Sequence, residues 1–241
     1  METHPIMRPA EMPEEFLKAV YDAGGVACGG FARHLASSNK DSTSKDIDIY
    51  PLNKDALRNL IVVFDRISHD SGCGGISDTS LYQEVSAQTA FFQQNERTFK
   101  AQIVHMPMYP EEVLSTFDFT VCQAFLDLPR LRVITPQDWK YHEDTRLLRL
   151  TNSRRTYLAY RLTKYLDKGY SPNYETIMTF MSGMKMAPHN NDTPTAGELA
   201  SWLSLVHRCL HNNNDNVSLI DQISVLGQLI DNDCFQGNGL F

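Results

Sequence analysis

No stretch of this 241-residue chain approaches the run of about 20 apolar residues that a membrane-spanning helix needs, so no membrane partner is expected. Met1 to Glu15 is polar and acidic rather than a positively charged start followed by an apolar core. No export signal is read there, and a cytoplasmic location is expected. Close cysteine pairs are missing as well. The five cysteines stand at 28, 73, 122, 209 and 234 with no His-rich partner run, a spacing that argues against both a disulfide framework and a zinc knuckle. Nor is there a uniformly positive surface: the formal net charge of −7 argues against a protein that coats nucleic acid through its whole exterior. Internal repeats are lacking too. What the chain does have is an ordinary 42 % of hydrophobic residues, enough to bury a core in one large domain or two small ones.

The charge is unevenly spread. Residues 130 to 170 hold ten Lys/Arg and four Asp/Glu, a local +6 that leaves −13 for the remainder. Pro13 to Tyr21 has helical spacing at Phe16, Leu17 and Val20 behind an acidic first turn. After Gly24-Gly25, Val26-Ala27-Cys28 reads as a short strand. It runs into the glycine pair Gly29-Gly30 and then a helical Phe31 to Leu35. Ser37 to Lys45 reads as a polar loop, and Asp46-Ile47-Asp48-Ile49-Tyr50 alternates strictly until Pro51 closes it, a strand of period 2. Lys54 to Ile67 predicts a helix. Leu81 to Val85, Thr89 to Phe92 and Phe99 to His105 predict strands, and Pro110 opens another helix. Beyond Pro129 the pattern reads as mainly helical, over 144–150, 153–167, 173–185, 196–211 and 217–230. Strands first and helices after predict an α+β unit, 1–128, followed by a helical domain, 129–241.

Two aspartates at i and i+2 on a strand lie on one face, close enough to bind the same metal ions. Mg²⁺ takes hard oxygen ligands and keeps positions open for substrate phosphates. Asp-x-Asp alone is more often the wet face of a half-buried strand. The preceding strand, glycine turn and helix change its weight, because Gly29 and Gly30 leave backbone N–H groups and no side-chain bulk beside a phosphate.

Gly29-Gly30-Phe31-Ala32-Arg33 followed by Lys45-Asp46-Ile47-Asp48-Ile49 resembles the signature of the polymerase-beta nucleotidyltransferase superfamily, in wording nearest the CCA-adding enzyme and bacterial poly(A) polymerase branch. Leu114 to Ala124 resembles that branch's nucleotide-contacting segment, with Asp118, Phe119, Thr120 and Ala124 in matching places. Arg146 to Arg149 and Arg161 to Tyr165 look like the helical segment after it. His34 stands where the branch usually has Asp, Phe117 where it has Arg, and the loop before the Asp pair is longer. CCA addition is therefore not carried over.

The resemblance implies a nucleotidyltransferase-type mixed sheet with flanking helices, Mg²⁺ or Mn²⁺ held by Asp46 and Asp48, and a nucleoside triphosphate, ATP among the candidates, as substrate. Gly29, Gly30, Arg33 and Lys45 are the nucleotide-binding candidates near the turn. A third acidic residue often comes from a neighbouring strand, but Phe99 to His105 offers only Gln102 at its centre, leaving Asp118 as the candidate, as metal ligand or nucleotide contact. On the helix over 153–167, Arg154, Tyr157, Arg161, Lys164 and Lys168 share one face opposite Leu158, Leu162, Tyr165 and Leu166. In the family this region closes over the triphosphate, which singles out Arg161 and Lys164. The expected reaction moves a nucleotidyl group to an acceptor and releases pyrophosphate. The acceptor is open among a short RNA or tRNA end, a small molecule and a protein side chain. A catalytically inactive nucleotide sensor or interaction module is the rival expectation.

Overall fold

The computed structural model describes residues 1–39, 42, 44, 46–70, 77–81, 85–94, 96–152, 158–173, 175–177 and 179. The chain divides into two compact units, Met1–Thr145 and Arg146–Phe241. In chain order the first holds β1 (Glu2–Pro5), α1 (Glu14–Asp22), β2 (Gly25–Cys28), α2 (Gly30–Ala36), β3 (Ile47–Pro51), α3 (Lys54–Asp70), β4 (Ser77–Leu81), β5 (Val85–Gln94), β6 (Arg97–Val104), α4 (Pro110–Thr116), β7 (Phe125–Asp127), β8 (Arg132–Thr135) and α5 (Trp139–Asp144). Its strands form one eight-stranded sheet in the order β1-β8-β7-β2-β3-β6-β5-β4. β3 and β6 run parallel, the other pairings antiparallel. This is the expected mixed sheet with flanking helices.

The helices form where the apolar spacing and the end chemistry agree. In α1, Glu14 and Glu15 occupy the first turn, favourably placed for the helix dipole, while Phe16, Leu17 and Val20 are buried. At the start of α3 the Asn53 side-chain oxygen accepts from the N–H groups of Asp55 and Ala56 at 3.0 and 2.9 Å, a side-chain cap that satisfies two otherwise orphaned donors. These helices and α2 bury Phe16, Val20, Phe31, Leu35, Leu60 and Phe64 in one cluster with Ile47, Ile49, Ala101 and Ile103 of the central strands. Because side chains alternate along a strand, burying Ile47 and Ile49 against the helices turns Asp48 and Tyr50 to the opposite face. The Tyr50 ring there meets Phe117 at 6.2 Å, edge to face.

Several local expectations change. Residues 2–5, in the polar stretch before the first expected helix, pair with β8 from Glu2↔Thr135 to Pro5↔Arg132. Of the strand expected over Leu81 to Val85, Leu81 ends β4 and Val85 begins β5, and 82–84 lie outside the described residues. Residues 132–135, in the span assigned to the helical domain, form a strand, and β8 pairs with β7 inside the first unit, so the expected division after residue 128 falls between two paired strands. The helix expected over 144–150 is absent. α5 stops at Asp144, Arg146 takes a left-handed backbone (φ 54°), and Leu147–Leu148 is a short strand, β9.

In the second unit, β9 pairs in parallel with β10 (Ser171–Pro172), and between them lies α6 (Leu158–Leu166). Leu162, Tyr165 and Leu166 are buried, as their spacing predicts. Residues 175–177 and 179 are helical, in line with the start of the helix expected over 173–185. The remainder of that helix and those expected over 196–211 and 217–230 lie outside the described residues.

Candidate metal and nucleotide site

The site is organised around the β2–β3 pair. Cys28 stands opposite Asp48 in the antiparallel register, so the strand that ends in the glycine turn lies directly beside the strand that carries the carboxylates. Gly29 has φ 69° and ψ −133°, a backbone conformation open essentially to glycine alone. A Cβ on Gly29 would stand 3.2 Å from two carbons of the Phe117 ring and 3.7 Å from Asp48 Oδ2. The absence of a side chain therefore lets the turn lie against both the carboxylate and the aromatic ring. On the other side of the turn a Cβ on Gly30 would meet Ser44 Oγ at 3.7 Å, and that hydroxyl donates to the Asp46 carbonyl at 2.8 Å.

The 117–124 segment closes the same place. The Gly29 N–H donates to the Ala124 carbonyl at 2.8 Å, and Cys28 pairs with Phe125. The Gly29 amide is thus engaged within the protein, so the role left to this glycine is close approach rather than donation to a phosphate. Asp118 is fully buried, and its Oδ1 accepts from the Phe119 N–H at 3.2 Å. Phe117, where the resembling branch has Arg, puts an aromatic ring over the glycine turn.

Asp46 and Asp48 are both half-buried. Asp46 makes an ion pair with Lys100 of β6, with Nζ 3.5 Å from Oδ2 and both side chains 33 % exposed. β3 and β6 run in parallel register through Ile47↔Ala101, Asp48↔Gln102 and Ile49↔Ile103. Gln102 is buried beside Asp48, and its amide donates to Thr89 Oγ1 at 3.0 Å. Among the described residues, no three His, Cys, Asp or Glu side chains come together as a metal site. Next to Asp46 a cleft of about 370 Å³ opens between α2 and the first residues of β3 and β6, with Ser44, Arg97, Lys100, His34 and Glu11 in its lining. His34 Nε2 lies 2.9 Å from Glu11 Oε2, and this hydrogen bond holds the Glu11 carboxyl below its usual range. Burial, and after it the Asp48 charge, pushes the Cys28 thiol well up, so it stays protonated.

Other expected site residues are placed elsewhere. Arg33 does not face the cleft. Its guanidinium is buried, with Nη1 3.8 Å from Glu143 Oε2, and Ser37 Oγ donates to the other oxygen of that carboxylate at 2.5 Å. Lys45 lies outside the described residues. Arg161, half-buried, and Lys164, exposed, are both on α6 in the second unit. Lys100 and Ser44 are site neighbours that sequence reasoning missed, and Phe117 was noted only as a departure from the family segment. Lys100 had a faint signal, two positions before the Gln102 already compared with an expected acid, but only the parallel register aligns it with Asp46.

The mixed sheet, with the glycine turn on one strand and the two carboxylates beside it, is a fold that this chain shares with solved CCA-adding enzymes. The solved structures that share it include the Thermotoga maritima CCA-adding enzyme complexed with tRNA, at TM-score 0.53 and 11 % identity, covering 100 % of this chain and 58 % of that one. The Bacillus stearothermophilus CCA-adding enzyme in complex with CTP aligns at TM-score 0.50 and 14 % identity, over 84 % of this chain and 51 % of its own. This chain therefore spans little more than half the length of either enzyme. No protein-family model matches the sequence, and no curated protein does.

Proposed function

We propose that this protein is a nucleotidyltransferase that moves a nucleotidyl group from a nucleoside triphosphate to an acceptor. The observation that carries this reading is the juxtaposition of Asp46, just before β3, and Asp48 on β3 with the side-chain-free turn at the end of the adjoining β2. The donor set fits a divalent ion: two half-buried carboxylates supply hard oxygens, and Asp48 Oδ2 lies beside the glycine turn. Asp46 and Asp48 are the residues that would hold Mg²⁺ or Mn²⁺, and the bound ion would neutralise charge developing on the phosphoryl oxygens. The chain's own part is positioning. Gly29 lets the turn pack against Asp48 and Phe117, Gly30 leaves the other side of the turn without side-chain bulk, and the cleft next to Asp46 gives a triphosphate room on that side.

The similar enzymes carry tRNA and CTP in their structures, and the +6 segment is compatible with a short RNA end. A small hydroxyl compound or a protein side chain fits the open cleft equally well, so acceptors of all three classes belong in the assay. Each nucleoside triphosphate, labelled on the α-phosphate, is expected to give labelled acceptor with Mg²⁺ or Mn²⁺. Asp46→Ala and Asp48→Ala are each expected to lower that transfer by at least about a hundredfold, in line with loss of a principal electrostatic contribution. Transfer that persists undiminished in both variants would remove the reading.

A second reading, a nucleotide sensor or interaction module without turnover, draws support from Gln102 standing beside Asp48 in place of an acid. It predicts Mg-nucleotide binding without labelled product, and partner binding unaffected by Asp48→Ala.

A further inference from the structure

The ion pair between Asp46 and Lys100 adds a charge that the nucleotidyltransferase reading does not by itself require. Two carboxylates in mutual reach repel each other and attract cations, and a pair of divalent ions between attacking and leaving oxygens needs several anionic ligands to hold it. Here the neighbouring strand contributes no anion. Where β6 runs beside β3, Gln102 is neutral and next to Asp48, and Lys100 is positive and 3.5 Å from Asp46. Among the described residues no third acid joins them.

The ammonium is also well placed to stay in position. It lies at the mouth of the cleft, one-third exposed, so water still reaches it. Its stem rises from a strand fixed on both sides, by β3 and by β5. A lysine held this way is a compact, tethered cation with three donors.

We propose that Lys100 is a built-in counter-cation for Asp46, taking the place of a second divalent ion, so that the carboxylate pair accepts a single metal ion. Lys100 is then a determinant of metal stoichiometry, and its ammonium faces the cleft where an acceptor oxygen or phosphate would enter. This rests on Asp46 and Asp48 being the metal-holding pair. The chemical consequence is that acceptor-side charge is met by a hydrogen-bonding ammonium, not by a metal ion.

The test is Mn²⁺ alone titrated into the full chain, with bound ion read by electron paramagnetic resonance and calorimetry. The proteins compared are the wild type, Lys100→Met, Lys100→Arg and Asp48→Ala. Wild type and Lys100→Arg are expected to take up one Mn²⁺. Lys100→Met, freed of the tethered charge, is expected to bind a second ion or to bind the first roughly tenfold more tightly. Circular dichroism and the thermal midpoint establish that each variant is folded. Two ions on the wild type overturn the proposal, as does identical Mn²⁺ binding by wild type and Lys100→Met. In either case, binding that is lost in Asp48→Ala leaves the nucleotidyltransferase reading standing. Absence of Mn²⁺ binding, or binding indifferent to Asp48→Ala, overturns the proposal together with the metal-site assignment beneath it.

Discussion

Gly29 concentrates more of the site's requirements than any carboxylate does. Its φ of 69° with ψ −133° excludes an unstrained side chain, and the ring of Phe117 fills the space a methyl group would take. Gly29→Ala is therefore expected to lower unfolding free energy by about 1–3 kcal/mol, read from urea denaturation. Because Asp48 Oδ2 is the next atom in line, the same substitution should weaken nucleotide binding in the protein that still folds. A change smaller than about 0.5 kcal/mol would mean that the turn relaxes freely, and the tight packing around it would then carry no energetic weight.

At the scale of elements, α2 and the loop after it are held by charge buried away from the cleft. Arg33 on α2 faces Glu143 on α5, with Ser37 donating to the same carboxylate. Arg8 donates to the carbonyls of His34, Ser37 and Asn39 at 2.7, 2.6 and 2.6 Å. These bonds fix where the chain leaves α2 on its way to Asp46. Arg33→Met alone strands a buried carboxylate and is expected to cost about 3–5 kcal/mol, whereas Arg33→Met combined with Glu143→Leu should recover a large part of that loss. Urea titrations of the two single variants and the double variant measure the coupling. Strictly additive losses would assign Arg33 its stability through some other contact.

For the whole molecule, the hydrophobic cluster of described residues that runs from Met12 to Trp139 lies inside the first unit. A fragment of residues 1–145 keeps the complete sheet and is expected to unfold cooperatively on its own. A fragment of residues 1–128 loses β8, which pairs with both β1 and β7, and with it the Trp139 side chain buried on α5, whose indole N–H donates to the Val121 carbonyl at 3.1 Å. That shorter piece should be poorly soluble or lack a cooperative transition, and thermal unfolding followed by circular dichroism distinguishes the two. Equal cooperativity in both would place the structural limit of the unit before β8.

The strand-turn-helix at Gly29-Gly30 and the strand that follows Asp46 were legible in the amino-acid order, because period 2, period 3.6 and glycine punctuation are local properties, whereas the mixed sheet was implied by the family resemblance. Also legible were α1, α3 and the buried side of α6. The edge strand β1 was not, since Glu2 to Pro5 has no strand signature of its own and becomes a strand only by pairing with β8. Arg33 was read as a nucleotide contact because its motif position suggested it, yet burial against Glu143, 110 residues away in sequence, decides what its charge meets. Lys100 shows the same division. The sequence by itself determined that two carboxylates would stand one residue apart at the start of a strand. Only the parallel register of β3 with β6 decided that a cation would stand beside one and an uncharged amide beside the other, because strand order is settled by packing over the entire sheet and not by any local pattern.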